Sequence, residues 1–118
     1  MTKGEFIEYV YKETRIRLTD NQFSGKDKIY ILSTLNLYGL TEIPENFSLN
    51  VNGNLELNSL THIPNGFKPR VEYSLDLRSV TSISNGFNPV VGNLRLDSLT
   101  HIQEGFNPKK FNFYPRGV

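Results

Sequence analysis

The stretch Leu75-Asp-Leu-Arg-Ser-Val-Thr-Ser-Ile-Ser-Asn-Gly-Phe87 decides the fold, because its pattern recurs from Leu35, Leu55 and Leu94. Each copy reads Leu-x-Leu-x-small-Leu/Val-Thr-x-Ile, with Phe four residues after the Ile. Repetition at about twenty residues describes stacked coils of backbone, since one such unit cannot bury its own apolar side and must lean on a copy of itself.

Working outward column by column, Leu35, Leu55, Leu75 and Leu94 are followed two places on by Leu37, Leu57, Leu77 and Leu96. Two apolar residues around one variable residue mark a short strand with one buried face, and in-register copies predict a parallel ladder with rungs about 4.8 Å apart. After a bend at Gly39, Ser59, Ser79 and Ser98, the segment Leu/Val-Thr-x-Ile has the β-branched content of a second extended piece. Thr41, Thr61, Thr81 and Thr100 are expected to bond their hydroxyls to the backbone inside that corner. Phe47, Phe67, Phe87 and Phe106 then form the spine, because rung spacing falls within the range of about 4.5 to 7 Å that offset rings favour. Before each Phe stands Asn46, Gly66, Gly86 or Gly105, the residue types that tolerate positive φ, and Asn65-Gly66 and Asn85-Gly86 are turn dipeptides. Pro69, Pro89 and Pro108 are read as punctuation of the return to the next coil.

This core string resembles the short bacterial leucine-rich repeats of the BspA-like class, and the Leu-Thr-x-Ile-Pro-x-Gly-Phe-x-Pro form is similar to arrays in phage and bacterial proteins. The likeness covers residues 35 to about 111. Its units are shorter than the family's, and it lacks the asparagine-ladder signature of eukaryotic leucine-rich repeats. The resemblance implies binding, usually to protein, and supplies no catalytic residue.

The ends of such a stack need covers. Phe6, Ile7, Val10 and Tyr11 recur at helical spacing behind Thr2 and Glu5, a capping-box pair, so an N-terminal capping helix is expected. Ile16 and Leu18 alternate after it, and Asp20 to Lys28 reads as a polar loop. Ile29 to Leu32 reads as an edge strand or a degenerate zeroth coil. Phe113 lies as far beyond Phe106 as Leu94 lies beyond Phe87, which suggests a fifth coil. The expected organisation is one structural domain: a cap and edge segment over 1–34, a mainly β solenoid of leucine-rich-repeat type with about four coils over 35–111, and a tail over 112–118.

The composition narrows function. Thirteen basic against twelve acidic side chains leave little net charge to draw the 118-residue chain toward nucleic acid or acidic lipid. The chain has no cysteine, hence no disulfide scaffold or thiolate site. No apolar run approaches the roughly 20 residues of a membrane helix, and the start lacks the pattern of a secretory signal, so the cytoplasm is the expected location, a host's if the chain is phage-encoded.

Candidate chemistry fails on spacing. His62 and His101 share a column with Ser82 between them, about 10 Å apart, too far for one zinc ion with bonds of about 2.0 to 2.1 Å. No nucleotide-binding glycine loop, nucleophile elbow or His-Glu-x-x-His pattern occurs. Asp76 and Asp97 stand opposite Arg95 and Arg78 in adjacent rungs, an arrangement suited to cross-rung ion pairs and not to a general acid. No cofactor, metal or catalytic residue is expected. The outward positions Tyr38, Glu56, Asn58, Asp76, Arg78, Arg95 and Asp97 vary while their neighbours repeat, which marks them as a mixed-charge face for a protein partner. Two alternatives stand beside this reading: self-assembly of a structural repeat protein into homo-oligomers, and nucleic-acid binding through Lys109, Lys110 and Arg116 with nearby aromatics.

Overall fold

Helix α1 (Lys3–Thr14) begins where Thr2 and Glu5 satisfy each other's backbone: the Thr2 N–H donates to Glu5 Oε1 (2.8 Å) and the Glu5 N–H donates to Thr2 Oγ1 (3.1 Å). That reciprocal bond is the expected capping box. The helix ends at Arg15, which takes a left-handed φ of 64° and donates its N–H to the Tyr11 carbonyl. The computed structural model describes residues 1–24, 29–83, 86–100 and 112–115, the last as backbone alone. Among these the chain is mainly β with one α-helix, wound as a β-solenoid of about three turns.

Two parallel ladders form its sides. The first joins β2 (Tyr30–Ile31), β4 (Ser48–Val51), the start of β6 (Lys68–Asp76) and the start of β7 (Val90–Leu96), with Ile31 opposite Val51 and Val51 opposite Val71. The second joins β3 (Leu35–Asn36), β5 (Leu55–Glu56) and the ends of β6 and β7, so Leu35, Leu55, Leu75 and Leu94 are register partners in succession. A further strand, β8 (Asn112–Pro115), sets Phe113 opposite Leu94, so the tail backbone continues the ladder by one rung. Leu55 to Leu75 spans twenty residues and Leu75 to Leu94 nineteen; the register shift between Val71 and Ser74 places the missing residue at the corner, where Gly92 stands for two. A third side is marked by the parallel bridge between His62 and Ser82. Of the segment Ile29 to Leu32, read as an edge strand or a degenerate zeroth coil, Tyr30–Ile31 forms β2, which adds in parallel to β4.

Inward positions make one continuous core. Leu35, Leu37, Leu55, Leu57, Leu75, Leu77, Leu94 and Leu96 are all at most 2% exposed, as are Leu40, Leu60, Val80 and Leu99 from the next side. Phe47, Phe67 and Phe87 stack at 6.4 Å between successive centroids. The left-handed turn before them is present: φ is 57° at Asn46, 74° at Gly66 and 81° at Gly86. Ile102, Gly105, Phe106 and Pro108 of the fourth copy lie outside the described residues, as does Asn85.

Two expectations need correction. Pro69 is not in a return loop; it lies within β6, buried and opposite Leu49. Proline's fixed φ fits extended backbone, and it withholds a single donor from the ladder. Thr41, Thr61 and Thr81 are exposed, and the Thr61 hydroxyl faces the His62 ring (3.5 Å) and not the backbone. Flanking Leu and Ile take the inward places, which turns the threonines outward.

The cap joins the core by ring contact. Phe6 of α1 lies 5.3 Å from Phe47, nearly parallel to it, and meets Phe23 edge-on at 6.3 Å. Tyr9 anchors the same helix by donating its hydroxyl to the Glu42 carbonyl (2.6 Å). Strand β1 (Phe23–Ser24) pairs antiparallel with β2 and closes the edge of the first ladder, a strand inside what reads in sequence as a polar loop.

Candidate functional site

The outer surface of the second ladder gathers the sequence-derived candidates. Glu56, Asp76 and Arg95 are successive register partners, and Tyr38, Asn58, Arg78 and Asp97 each stand one place after an inward leucine and two places after Asn36, Glu56, Asp76 and Arg95. Residues two apart on a strand point to the same side, so all seven face outward. Five of them, Glu56, Asp76, Arg78, Arg95 and Asp97, line a shallow depression of about 540 Å³. Tyr38 is 52% exposed and donates its hydroxyl to Glu56 Oε2 (3.2 Å). That bond, with the charge of Glu56, raises the phenol above its ordinary range.

The close ion pairs form within a rung, Arg78 with Asp76 and Arg95 with Asp97, which corrects the expected cross-rung pairing; across rungs the charges of Asp97 and Asp76 still act on Arg78 and Arg95. Arg78 donates Nη2 to Asp76 Oδ2 at 2.6 Å and Nε to both carboxylate oxygens, while its backbone N–H donates to Asp76 Oδ1 at 3.1 Å. Arg95 Nε reaches both oxygens of Asp97 at 3.0 Å. The cause is local: the backbone bond from Arg78 turns the Asp76 carboxylate along the strand, and an arginine two places away is long enough to fold over it. Each bond raises the pKa of its arginine. Asp76 is itself only 7% exposed, so this pair also belongs to the structure.

Beside these charges runs a polar ladder that the column reading missed. The Asn54 N–H donates to Thr34 Oγ1 (3.1 Å), the Ser74 N–H to Asn54 Oδ1 (3.0 Å), and Asn93 Nδ2 to Ser74 Oγ (3.2 Å). Its signal was legible: the position before the first leucine is Thr34, Asn54, Ser74 or Asn93, always small and polar. At the opposite corner Ser59 Oγ accepts from the Gly39 N–H (3.1 Å), and Ser79 Oγ donates to the Asn58 carbonyl (2.5 Å). Hydrogen bonds on both borders therefore tie neighbouring rungs together in register.

Among the described residues one buried side-chain atom on the face has no partner. Asn58 Oδ1 is buried and accepts no hydrogen bond. Elsewhere, Lys68 and Arg70 line a depression of about 940 Å³ on the first ladder, which has no carboxylate in its lining. His101, Lys109, Lys110 and Arg116 lie outside the described residues. Among the described residues no group of three His, Asp or Glu side chains is placed to hold a metal ion, and no helix is long and apolar enough to cross a membrane. No known protein family, curated protein or solved structure matches the chain, so its face is read from its own residues.

Proposed function

We propose that the chain is a non-enzymatic protein-binding module that engages its partner through the outer face of the second ladder. The observation that carries this reading is the convergence of Glu56, Asp76, Arg78, Arg95 and Asp97 on one depression, held in place by the corner ladders. Ordered charges on a rigid scaffold give specificity and steer encounter more than they add affinity. The resemblance to bacterial and phage repeat arrays narrows the proposal to a modulator or inhibitor of a host protein, working in the host cytoplasm. Capture of a partner from a bacterial lysate tests it with three baits: the native chain, a Tyr38→Ala/Arg78→Ala variant, and a Lys68→Ala/Arg70→Ala variant of the other ladder. The expected result is a specific partner held by the first and third and lost by the second. Equal capture by all three, or none by any, contradicts the reading.

Self-assembly is the second reading, favoured by one edge. Leu35 and Leu37 donate their N–H groups toward the next coil, so the intervening Asn36 turns its own backbone the other way, where no described residue bonds to it. The matching edge of the first ladder is closed by β1. Light scattering over a range of concentrations separates the two readings: growth of the scattering mass supports assembly, and a constant monomer excludes it.

A further inference from the structure

We infer that Glu56 and Asn58 form a receptor for one arginine side chain of the partner, a deepening that rests on the binding reading above. The two neighbouring rungs supply the template. At their two outward positions stand Asp76 with Arg78 and Arg95 with Asp97, each acid closed by a guanidinium two places away. The rung below carries Glu56 in the column of Asp76 and Asn58 in the column of Arg78. It holds the acid of such a pair without its base.

Three further observations agree. Among the described residues Glu56 makes no ion pair; its one side-chain bond is from the Tyr38 hydroxyl to Oε2, which leaves Oε1 open. Asn58 Oδ1 is an acceptor without a donor, and leaving such an atom buried is unfavourable. That side chain is half-buried and stands two places after Glu56, at the position the neighbouring rungs fill with Arg78 and Asp97. Finally, three carboxylates against two guanidiniums leave the candidate face with one negative charge. Arginine suits the site better than lysine, because a planar fork serves both oxygens of a carboxylate, as in the adjacent rungs, and can lie on the exposed Tyr38 ring.

Titration of the ¹⁵N-labelled chain with the peptide acetyl-Gly-Arg-Gly-amide tests this directly, with the lysine and the uncharged citrulline peptides as comparisons. Shifts are expected to centre on Tyr38, Glu56 and Asn58, to be about threefold weaker in affinity for lysine, and to vanish for citrulline. Asn58→Arg supplies the missing base within the chain and is expected to abolish the response; Glu56→Gln is expected to do the same without adding bulk. A response that survives both variants, or that spreads equally over Glu42 and Glu45, overturns the receptor. A partner captured through Tyr38 and Arg78 with no peptide response overturns the receptor alone. A peptide response at Glu56 with no capturable partner overturns the binding reading alone.

Discussion

The rings of Phe47 and Phe67 lie parallel, 2° apart in plane and 6.4 Å apart at their centroids. Rungs are about 4.8 Å apart, so each ring slides along its neighbour into the offset geometry that relieves repulsion between ring faces. Phe87 continues the stack upward at the same spacing, and Phe6 continues it downward into the helix.

Phe67 lies between the rings of Phe47 and Phe87, so its truncation removes ring contact on both sides. Phe67→Ala is expected to cost about 3 to 5 kcal/mol, a large part of the stability of a small domain. The midpoint of urea unfolding measures it. A cost near that of an exposed substitution would mean that the ring is not part of the core.

Phe6→Ala should both destabilise the chain and uncover the first coil, because the ring it removes covers Phe47. The unfolding midpoint is expected to fall, and light scattering should show more association than the native chain at the same concentration. Loss of stability without association would mean that Tyr9 and the rest of α1 still cover the end.

Asn46 and Gly66 take the same left-handed turn one coil apart. Asn46→Gly is therefore expected to change stability by less than about 1 kcal/mol, whereas Gly66→Ala should cost about 1 to 2 kcal/mol. An added Cβ at Gly66 would also strike the Asn46 side chain. Thermal unfolding of the two variants gives the comparison; equal effects would contradict it.

Asp76 and Glu56 occupy one column but differ in role. Asp76→Ala removes an acceptor of four contacts from a site 7% exposed and is expected to cost about 1 to 3 kcal/mol. Glu56→Ala should stay within about 0.5 kcal/mol while affecting binding. Unfolding curves for both variants check the split, and a Glu56 cost equal to that of Asp76 would make Glu56 structural.

Acid should loosen α1 before it opens the coils. The backbone bond from Thr2 holds the Glu5 carboxyl below the ordinary glutamate range. A lowered pKa means that the cap contributes fully above about pH 4.3, the unfolded value, and loses that contribution as pH falls through the folded one. Following the Glu5 carboxyl by NMR should show a low titration that moves up in Thr2→Ala. Titration at or above the ordinary range in the native chain would contradict the cap.

Much of the backbone was legible because each inward column repeats one residue type. The leucine registers, the turn at Asn46, Gly66 and Gly86, and the Thr2–Glu5 cap are local patterns, and local patterns survive folding unchanged. Contacts between unlike segments were not legible. Nothing in its helical spacing says that Phe6 would meet Phe47, or that Phe23 would pair as an antiparallel edge. The ion pairs were misread because Cα register places Asp76 beside Arg95, while a long side chain with a backbone bond at its base folds along its own strand. The threonine column looked architectural, yet Thr41, Thr61 and Thr81 face solvent, since a repeated residue marks equal surroundings and not burial.

Contacts between coils decide the account, and the most direct measurement is a nuclear Overhauser spectrum of the labelled chain, read for ring and methyl protons. Cross-peaks are expected from Phe47 to Phe67, from Phe67 to Phe87, and between Leu55 and each of Leu35 and Leu75. Rings that see only neighbours in sequence, or leucine pairs offset by one residue between rungs, would contradict the stacked solenoid and, with it, the face built on its surface.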